Sequence, residues 1–189
     1  MPVNDSYSSR GFFPGKCAGI TLVEMLAVVA VLGVLSTVAI PSYYDAIARA
    51  RVRHATENLH ALILLASQEG QIRNANLSVT IDSSHWCVGV AFFPGCDCTT
   101  SLGASACVLD VAGEPVAQRL AAEEFPGVTI SANFPGGGTT FNPVRRTASP
   151  GGTLAVSARD QTLEIRVGLN GRVRVCAAPE SSFRGYATC

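Results

Sequence analysis

The sequence predicts an α+β protein in which one long N-terminal helix packs on a C-terminal domain of antiparallel strands that disulfides hold together. Residues 20–40 form an apolar run that is long enough to cross a bilayer as a helix. A helical repeat of apolar residues continues to about Ile72, and from Asn76 onward apolar and polar residues alternate as in half-buried strands. The predicted segments are a leader (1–19), a membrane helix (20–41), an amphipathic helix (42–75) and a β-sheet domain (76–189).

The apolar run is interrupted by four polar residues: Thr21, Glu24, Ser36 and Thr37. A lone carboxylate is costly in hydrocarbon, so Glu24 is predicted to be functional and to have a partner. A cleavable secretory signal has a shorter apolar core of roughly 7–15 residues. A plain signal anchor has the right length but leaves Glu24 unexplained.

The helix is expected to continue beyond Pro41 as an amphipathic segment. Pro41 removes one backbone donor and crowds the preceding turn, so we expect a kink near Thr37. After it, apolar residues recur at steps of three and four, which predicts one apolar face. These residues are Ile47, Ala50, Ala55, Leu59, Leu62, Ile63 and Ala66.

Seven stretches with the alternation of strands follow, separated by Gly- and Pro-rich turns. They are 77–81, 86–93, 107–111, 127–133, 153–158, 162–167 and 172–177. Residues 114–124 are predicted to form a short helix. Trp86 is predicted to anchor the core between helix and sheet rather than to bind a ligand.

The chain has seven cysteines, and six remain when Cys17 is removed with the leader. An even number in a small exported domain predicts disulfides, and six cysteines allow 15 pairings. The pairing of Cys87, Cys96, Cys98 and Cys107 stays open. No histidine lies at ligand spacing from Cys96-Asp97-Cys98, so neither a metal site nor a cofactor is predicted.

The last two predicted strands form a hairpin with the loop 169–171. Their apolar side chains must share one face, because a slip by one residue would turn the arginines into the core. A three-residue loop with Gly171 in the left-handed conformation produces this register. The paired core residues are then Val167 with Val173 and Ile165 with Val175.

The opposite face of the hairpin carries Arg166 across from Arg174, with Arg172 just before it. Facing like charges destabilise a sheet by roughly 0.2–1 kcal/mol, so the cluster predicts an anionic partner. Guanidinium groups suit phosphate because their donors form a fixed fork. A disulfide from Cys189 to Cys176 would strap Arg184 over the same face. If Glu164 neutralises the cluster, the face is an ordinary solvated one.

The N-terminal residues resemble those of type IV prepilins, although Ile20 stands where that family usually has Phe. The matching residues are Lys16, Gly19, Thr21, Leu22, Glu24 and Pro41-Ser42-Tyr43. The resemblance implies that a prepilin peptidase cuts after Gly19, that the new N-terminal Ile20 is methylated, and that Glu24 serves assembly with other pilins. It also implies a single-pass protein of the bacterial inner membrane with a periplasmic C-terminal domain, which then enters a pilus or pseudopilus.

The run Gly171-Arg172-Val173-Arg174 resembles the Gly-Arg-x-Arg motif of DNA-uptake members of the GspH/FimT branch of minor pilins. The resemblance implies the type IV pilin fold and sequence-independent DNA binding in natural transformation. The residues implied are Arg166, Gly171, Arg172, Arg174 and Arg184. The alternative is a structural minor pilin or type II secretion pseudopilin that primes filament assembly without DNA. No catalytic arrangement of Ser, His and Asp is discernible, so no enzyme is predicted.

Overall fold

The computed structural model describes residues 19–181 and 183–189, so most of the predicted leader, residues 1–18, lies outside it. One long helix, α1 (Leu22–Arg73), comes first, and eleven strands follow among the described residues. The strands are β1 (Leu77–Asp82), β2 (Cys87–Ala91), β3 (Val108–Val111), β4 (Glu114–Ala117), β5 (Arg119–Ala121), β6 (Thr129–Asn133), β7 (Gly138–Asn142), β8 (Thr147–Ser149), β9 (Gly152–Ala158), β10 (Gln161–Val167) and β11 (Val173–Ala177).

Local caps account for both ends of α1. The Thr21 hydroxyl accepts a hydrogen bond from the Glu24 backbone N–H at 3.2 Å, which is an N-cap contact. At the other end Asn74 takes a positive φ of 50°, and the Ala75 N–H donates to the Gly70 carbonyl at 3.0 Å. That left-handed residue and its back-bond form a Schellman cap, which ends the helix close to the predicted Ile72.

The chain divides into two compact units, one ending at Pro41 and the other spanning Ser42–Cys189. The first contains an unburied helical stretch with a mean hydropathy of 2.4, long and apolar enough to cross a membrane. The second contains the amphipathic part of α1 and all the strands. Pro41 lies inside the continuous helix, as the sequence predicts.

The predicted apolar face of α1 is buried at Ala55, Leu59 and Ile63. Ala50 is exposed, and Val52 lies in the core instead. Opposite this face, Leu154, Val156, Leu163 and Ile165 belong to the same core cluster. The helix therefore covers the apolar face of the sheet, and the polar face of β10 and β11 is left outward.

The strands form three antiparallel sheets. Their orders are β5-β2-β1-β7-β8, β11-β10-β9-β6 and β3-β4. The prediction of a helix over 114–124 is wrong: β4 and β5 occupy it, with only a short 3₁₀ turn at Ala122–Glu124. Ala112 and Gly113 both have positive φ, which suits a two-residue hairpin between β3 and β4, and that local turn overrides helix propensity.

Disulfides join Cys87 to Cys98, Cys96 to Cys107 and Cys176 to Cys189. The first attaches the irregular loop after β2 to that buried strand, and the second attaches the same loop to the residue just before β3; the four cysteines form a small second core. Each of these two bridges joins cysteines that are 11 residues apart. Spacing alone does not select this pairing among those possible for the four cysteines.

Trp86 lies in the core, as predicted, and its indole Nε1–H donates to the Val128 carbonyl at 2.8 Å. Its ring stacks on Phe125 with centroids 5.3 Å apart. Replacing Trp86 by Phe should lower the free energy of unfolding by about 1–3 kcal/mol, because the Val128 carbonyl stays buried without its donor. Denaturant titration of the detergent-solubilised chain checks this. Phe93→Leu, at an exposed aromatic residue, is the control and should change stability little.

Candidate functional site

The C-terminal hairpin has the predicted register. Arg166 lies opposite Arg174, Val167 opposite Val173 and Ile165 opposite Val175. In the loop, Gly171 adopts a φ of +69°, and its N–H donates to the Gly168 carbonyl at 2.9 Å. The Gly168 N–H donates to the Arg172 carbonyl, also at 2.9 Å. This local geometry turns the arginine side chains away from the core.

The three hairpin arginines are not equivalent. Arg166 forms an ion pair with Glu164 at 2.8 Å and also donates to the Cys189 carbonyl at 3.4 Å. By contrast, Arg172 and Arg174 are exposed, and their guanidiniums have no ion pair or hydrogen bond among residues 19–181 and 183–189. Among the described residues, the unpaired positive charge of the hairpin therefore lies at Arg172 and Arg174.

The segment closed by the Cys176–Cys189 disulfide packs its aromatic residues on the core. Phe183 is buried in the core, and Tyr186 packs against it. Arg53 of α1 lies over both rings, 5.9 Å from the Phe183 centroid and 6.0 Å from that of Tyr186. These rings gain more by burial against the helix than they would on the polar outer face.

Arg184 is exposed on this strap and has no ion pair with the hairpin among the described residues. Phe183 and Tyr186 cover core rather than standing free to stack on bases. The strap therefore stabilises the edge of β11 and does not bring aromatic faces to the arginines.

The outer face divides by charge along the hairpin. Around a cavity of about 540 Å³ lie three acidic residues, Asp160, Glu164 and Glu180. Arg172 and Arg174 lie beyond it, towards the hairpin turn. A polyanion would be repelled at the acidic end and attracted at the turn.

Two arginines that the sequence did not single out lie next to that turn. Arg145 and Arg146 are exposed between β7 and β8. A Cβ added to Gly171 would meet the Arg146 carbonyl oxygen at 2.7 Å, so the two turns are in close contact. The Ala148 N–H also donates to the Leu169 carbonyl at 3.1 Å. The adjacent Arg-Arg pair was visible in the sequence, but its position was not, because β7 and β8 were not predicted.

A second polar cluster lies in the turn between β1 and β2. His85 Nδ1 lies 2.7 Å from Asp82 Oδ2 and 3.3 Å from Ser84 Oγ. Hydrogen bonds from Ser84 and His85 hold the pKa of the Asp82 carboxyl well below its usual range. Serine and aspartate contact the same ring nitrogen, whereas a catalytic triad uses the two nitrogens separately. The arrangement is a hydrogen-bonded turn.

The residues predicted for processing and assembly lie at the start of α1. Gly19 and Ile20 are exposed just before the helix, and Glu24 is exposed in its first turn. Only the backbone N–H of Glu24 is used in the contact with Thr21. Its carboxylate therefore remains available to a partner outside this chain.

Two known families match this chain, one in its N-terminal part and one in the remainder. The family described as Type II transport protein GspH matches residues 55–181. The family described as Prokaryotic N-terminal methylation motif matches residues 14–40.

Curated relatives match a short stretch of the chain. A fimbrial protein of Pseudomonas aeruginosa is 46% identical over 44 residues, which is 23% of this chain and 29% of that protein. A fimbrial protein of Moraxella nonliquefaciens is 49% identical over 37 residues, 20% of this chain and 24% of that protein. The chain thus spans less than a third of the length of the curated relatives it matches.

Two solved structures align with part of the chain. The minor pseudopilin EpsH from the type 2 secretion system of Vibrio cholerae aligns with a TM-score of 0.48 at 11% identity, over 67% of this chain and 97% of that one. The type IV minor pilin FimU of Pseudomonas aeruginosa aligns with a TM-score of 0.49 at 16% identity, over 73% and 96%. Since the GspH match alone covers well over half of the residues, this chain belongs to the family described as Type II transport protein GspH.

Proposed function

We propose that this protein is a minor type IV pilin that binds DNA without sequence preference and serves DNA uptake in natural transformation. The observation that carries the proposal is the pair Arg172 and Arg174, exposed and without a carboxylate partner among the described residues. The hairpin register holds Arg174 against Arg166, an arrangement of like charge that only an anion relieves fully.

Phosphate is the anion that this arrangement suits. Guanidinium forks bind phosphate oxygens with two parallel hydrogen bonds, and a nucleic-acid backbone repeats that group at regular spacing. The arginines project from a β-ribbon beside a turn, and contacts to phosphate position a nucleic acid without reading its sequence. Binding of this kind is salt-sensitive and similar for all sequences.

Membrane insertion and filament assembly complete the proposed function. The peptidase cuts after Gly19, Ile20 becomes the methylated N-terminus, and the apolar part of α1 holds the protein in the inner membrane and later in the filament with other pilins. The three disulfides support a periplasmic location for the β-sheet domain, because such bonds persist in oxidising compartments.

Cleavage after Gly19 can be tested directly. In Gly19→Val the branched side chain at the cut should block the peptidase, so the full-length precursor accumulates in the inner membrane. Mass spectrometry of the N-terminus measures this. A mature wild-type chain that begins at another residue would overturn the assignment of Gly19 and Ile20.

Binding is tested by electrophoretic mobility shift of the full-length chain in neutral detergent, with single-stranded and duplex DNA at low and high salt. We expect a shift at low salt that weakens steeply as salt rises, equally for unrelated sequences. No shift at low salt would reject DNA binding.

A structural minor pilin or type II secretion pseudopilin is the second candidate. The ion pair between Arg166 and Glu164 favours it, since it already relieves part of the like-charge repulsion across the hairpin. In that case the protein primes filament assembly, and the arginines contribute only solubility. If the protein enters filaments but causes no mobility shift of DNA, the structural role is the correct one.

A further inference from the structure

A small polar pocket lies where the hairpin turn, the β7–β8 turn and the last turns of α1 meet. Its volume is about 230 Å³, below the roughly 300–1,000 Å³ of typical small-molecule sites. Its polar lining residues are Ser67, Gln71, Asn142, Arg146, Thr147, Asn170 and Arg172. None of the described residues that line it is an aspartate or a glutamate.

The hydrogen bonds around the pocket leave it rich in donors. Asn142 Oδ1 accepts from the Arg145 backbone N–H at 2.9 Å, and Asn170 Oδ1 accepts from the Arg172 N–H at 3.2 Å. Each side-chain oxygen thus already accepts one backbone hydrogen bond, and the amide NH₂ groups are the ends that can donate to a ligand. The guanidiniums of Arg146 and Arg172 add further donors and are unpaired among the described residues.

The backbone carbonyls at the end of α1 do not offset the excess of hydrogen-bond donors in the pocket. The Gly70 carbonyl is bonded to the Ala75 N–H, and the Gln71 carbonyl accepts from the Asn74 N–H at 3.4 Å. The Ser67 carbonyl accepts from the Gln71 side chain at 3.2 Å. These three backbone carbonyls therefore already accept hydrogen bonds within the chain.

We propose that this pocket binds one phosphate group of the DNA backbone, held between Arg146 and Arg172, with Arg145 at its margin. The proposal rests on the proposed DNA-binding function and deepens it. It directs the bound strand from Arg174 across the hairpin turn towards β7 and β8, away from the acidic end and away from Arg184. The volume suits a phosphodiester with its nearest sugar atoms better than a whole nucleotide.

A pair of matched substitutions on α1 tests the pocket without altering either turn. Gln71→Glu places a carboxylate of nearly the same shape in the lining. Gln68→Glu makes the identical change at an exposed residue of the same helix that does not line the pocket. In the full-length chain in neutral detergent, Gln71→Glu should lower DNA affinity about tenfold, whereas Gln68→Glu should leave it near wild type.

Arginine substitutions give an independent comparison. Arg146→Gln should reduce affinity about tenfold and lower the log–log salt slope on duplex DNA by about 0.9, as expected when one phosphate is no longer neutralised. Arg49→Gln removes the same charge at a residue that lies about 27 Å along α1 from Ser67 of the pocket. It should change neither the DNA affinity nor the salt slope. Arg145→Gln serves as a second variant should Arg146→Gln fail to fold.

A competition arm with inorganic phosphate, at ionic strength matched with chloride, identifies the source of the phosphate group. Phosphate should displace DNA from the wild-type chain more effectively than chloride, and Gln71→Glu should remove the difference. If wild type binds DNA and Gln71→Glu and Arg146→Gln bind it equally well, the pocket proposal is overturned while DNA binding stands. Competition by phosphate with unchanged DNA affinity in those variants would mark a site for free phosphate and overturn the assignment to DNA. If wild type binds no DNA, both proposals fail.

Discussion

Changing Arg172 and Arg174 together to glutamine is expected to lower DNA affinity about 100-fold at low salt, for all sequences alike. Each guanidinium that leaves a phosphate removes a charge-assisted hydrogen-bonded interaction of about 1.5–3 kcal/mol. The salt slope on duplex DNA should fall by about 0.9 for each phosphate that the variant no longer neutralises. A fluorescence anisotropy titration over a salt series measures both effects.

The same double substitution should leave the fold intact. Val173 packs against the core, and so does Val175, which follows Arg174 on β11. Loss of the Arg166–Arg174 repulsion can even raise stability slightly. Arg49→Gln with Arg51→Gln is the matched control, with an equal change in net charge on α1 and no expected loss of affinity. Wild-type affinity in the hairpin variant would reject the proposed site and favour the structural minor pilin.

Glu24→Ala is expected to abolish incorporation into filaments while the protein remains cleaved, folded and present in the membrane. We propose that in the filament the Glu24 carboxylate neutralises the new amino terminus of a neighbouring subunit's Ile20. A charge left unpaired in an apolar core costs several kcal/mol, so the variant should be excluded from the assembly. Immunoblots of sheared filaments and of the membrane fraction measure the two pools.

The structure makes this test specific to the carboxylate. The N-cap contact with Thr21 uses the backbone N–H of Glu24, so alanine at this position keeps the helix start. Glu24→Gln removes the charge at nearly constant shape and should behave like the alanine variant. Thr21→Val removes the cap acceptor but leaves the carboxylate, and it should still assemble. Normal incorporation of Glu24→Ala would argue against the proposed pairing.

The fold places the arginines predicted for the interface in different surroundings. Arg166 is largely occupied by Glu164, and Arg184 lies on a strap whose aromatic residues turn towards α1. Arg145 and Arg146 belong to the turn that packs beside Gly171, and Arg146 makes the contact. The proposed interface is therefore centred on the hairpin turn and not on the middle of the β-ribbon.

The features that the sequence determined by itself are those governed by neighbouring residues. The extent of α1 follows from its apolar period, its Thr21 cap and the left-handed Asn74 at its end. The hairpin register follows from alternation and from Gly171 in a three-residue loop. Such features depend on backbone conformation and side-chain spacing over a few residues, which are written directly in the order of amino acids.

Only the tertiary structure decided which distant groups meet. The pairing of the four cysteines around β2 depends on how the loop after that strand folds back. The spacing of the cysteines in the sequence does not determine it. Strands β7 and β8 exist because β1 offers its free edge to a polar segment with weak strand character of its own. The pocket between Arg146 and Arg172 exists because two turns that are far apart in sequence pack against each other, and the whole arrangement of sheets and helix sets that packing.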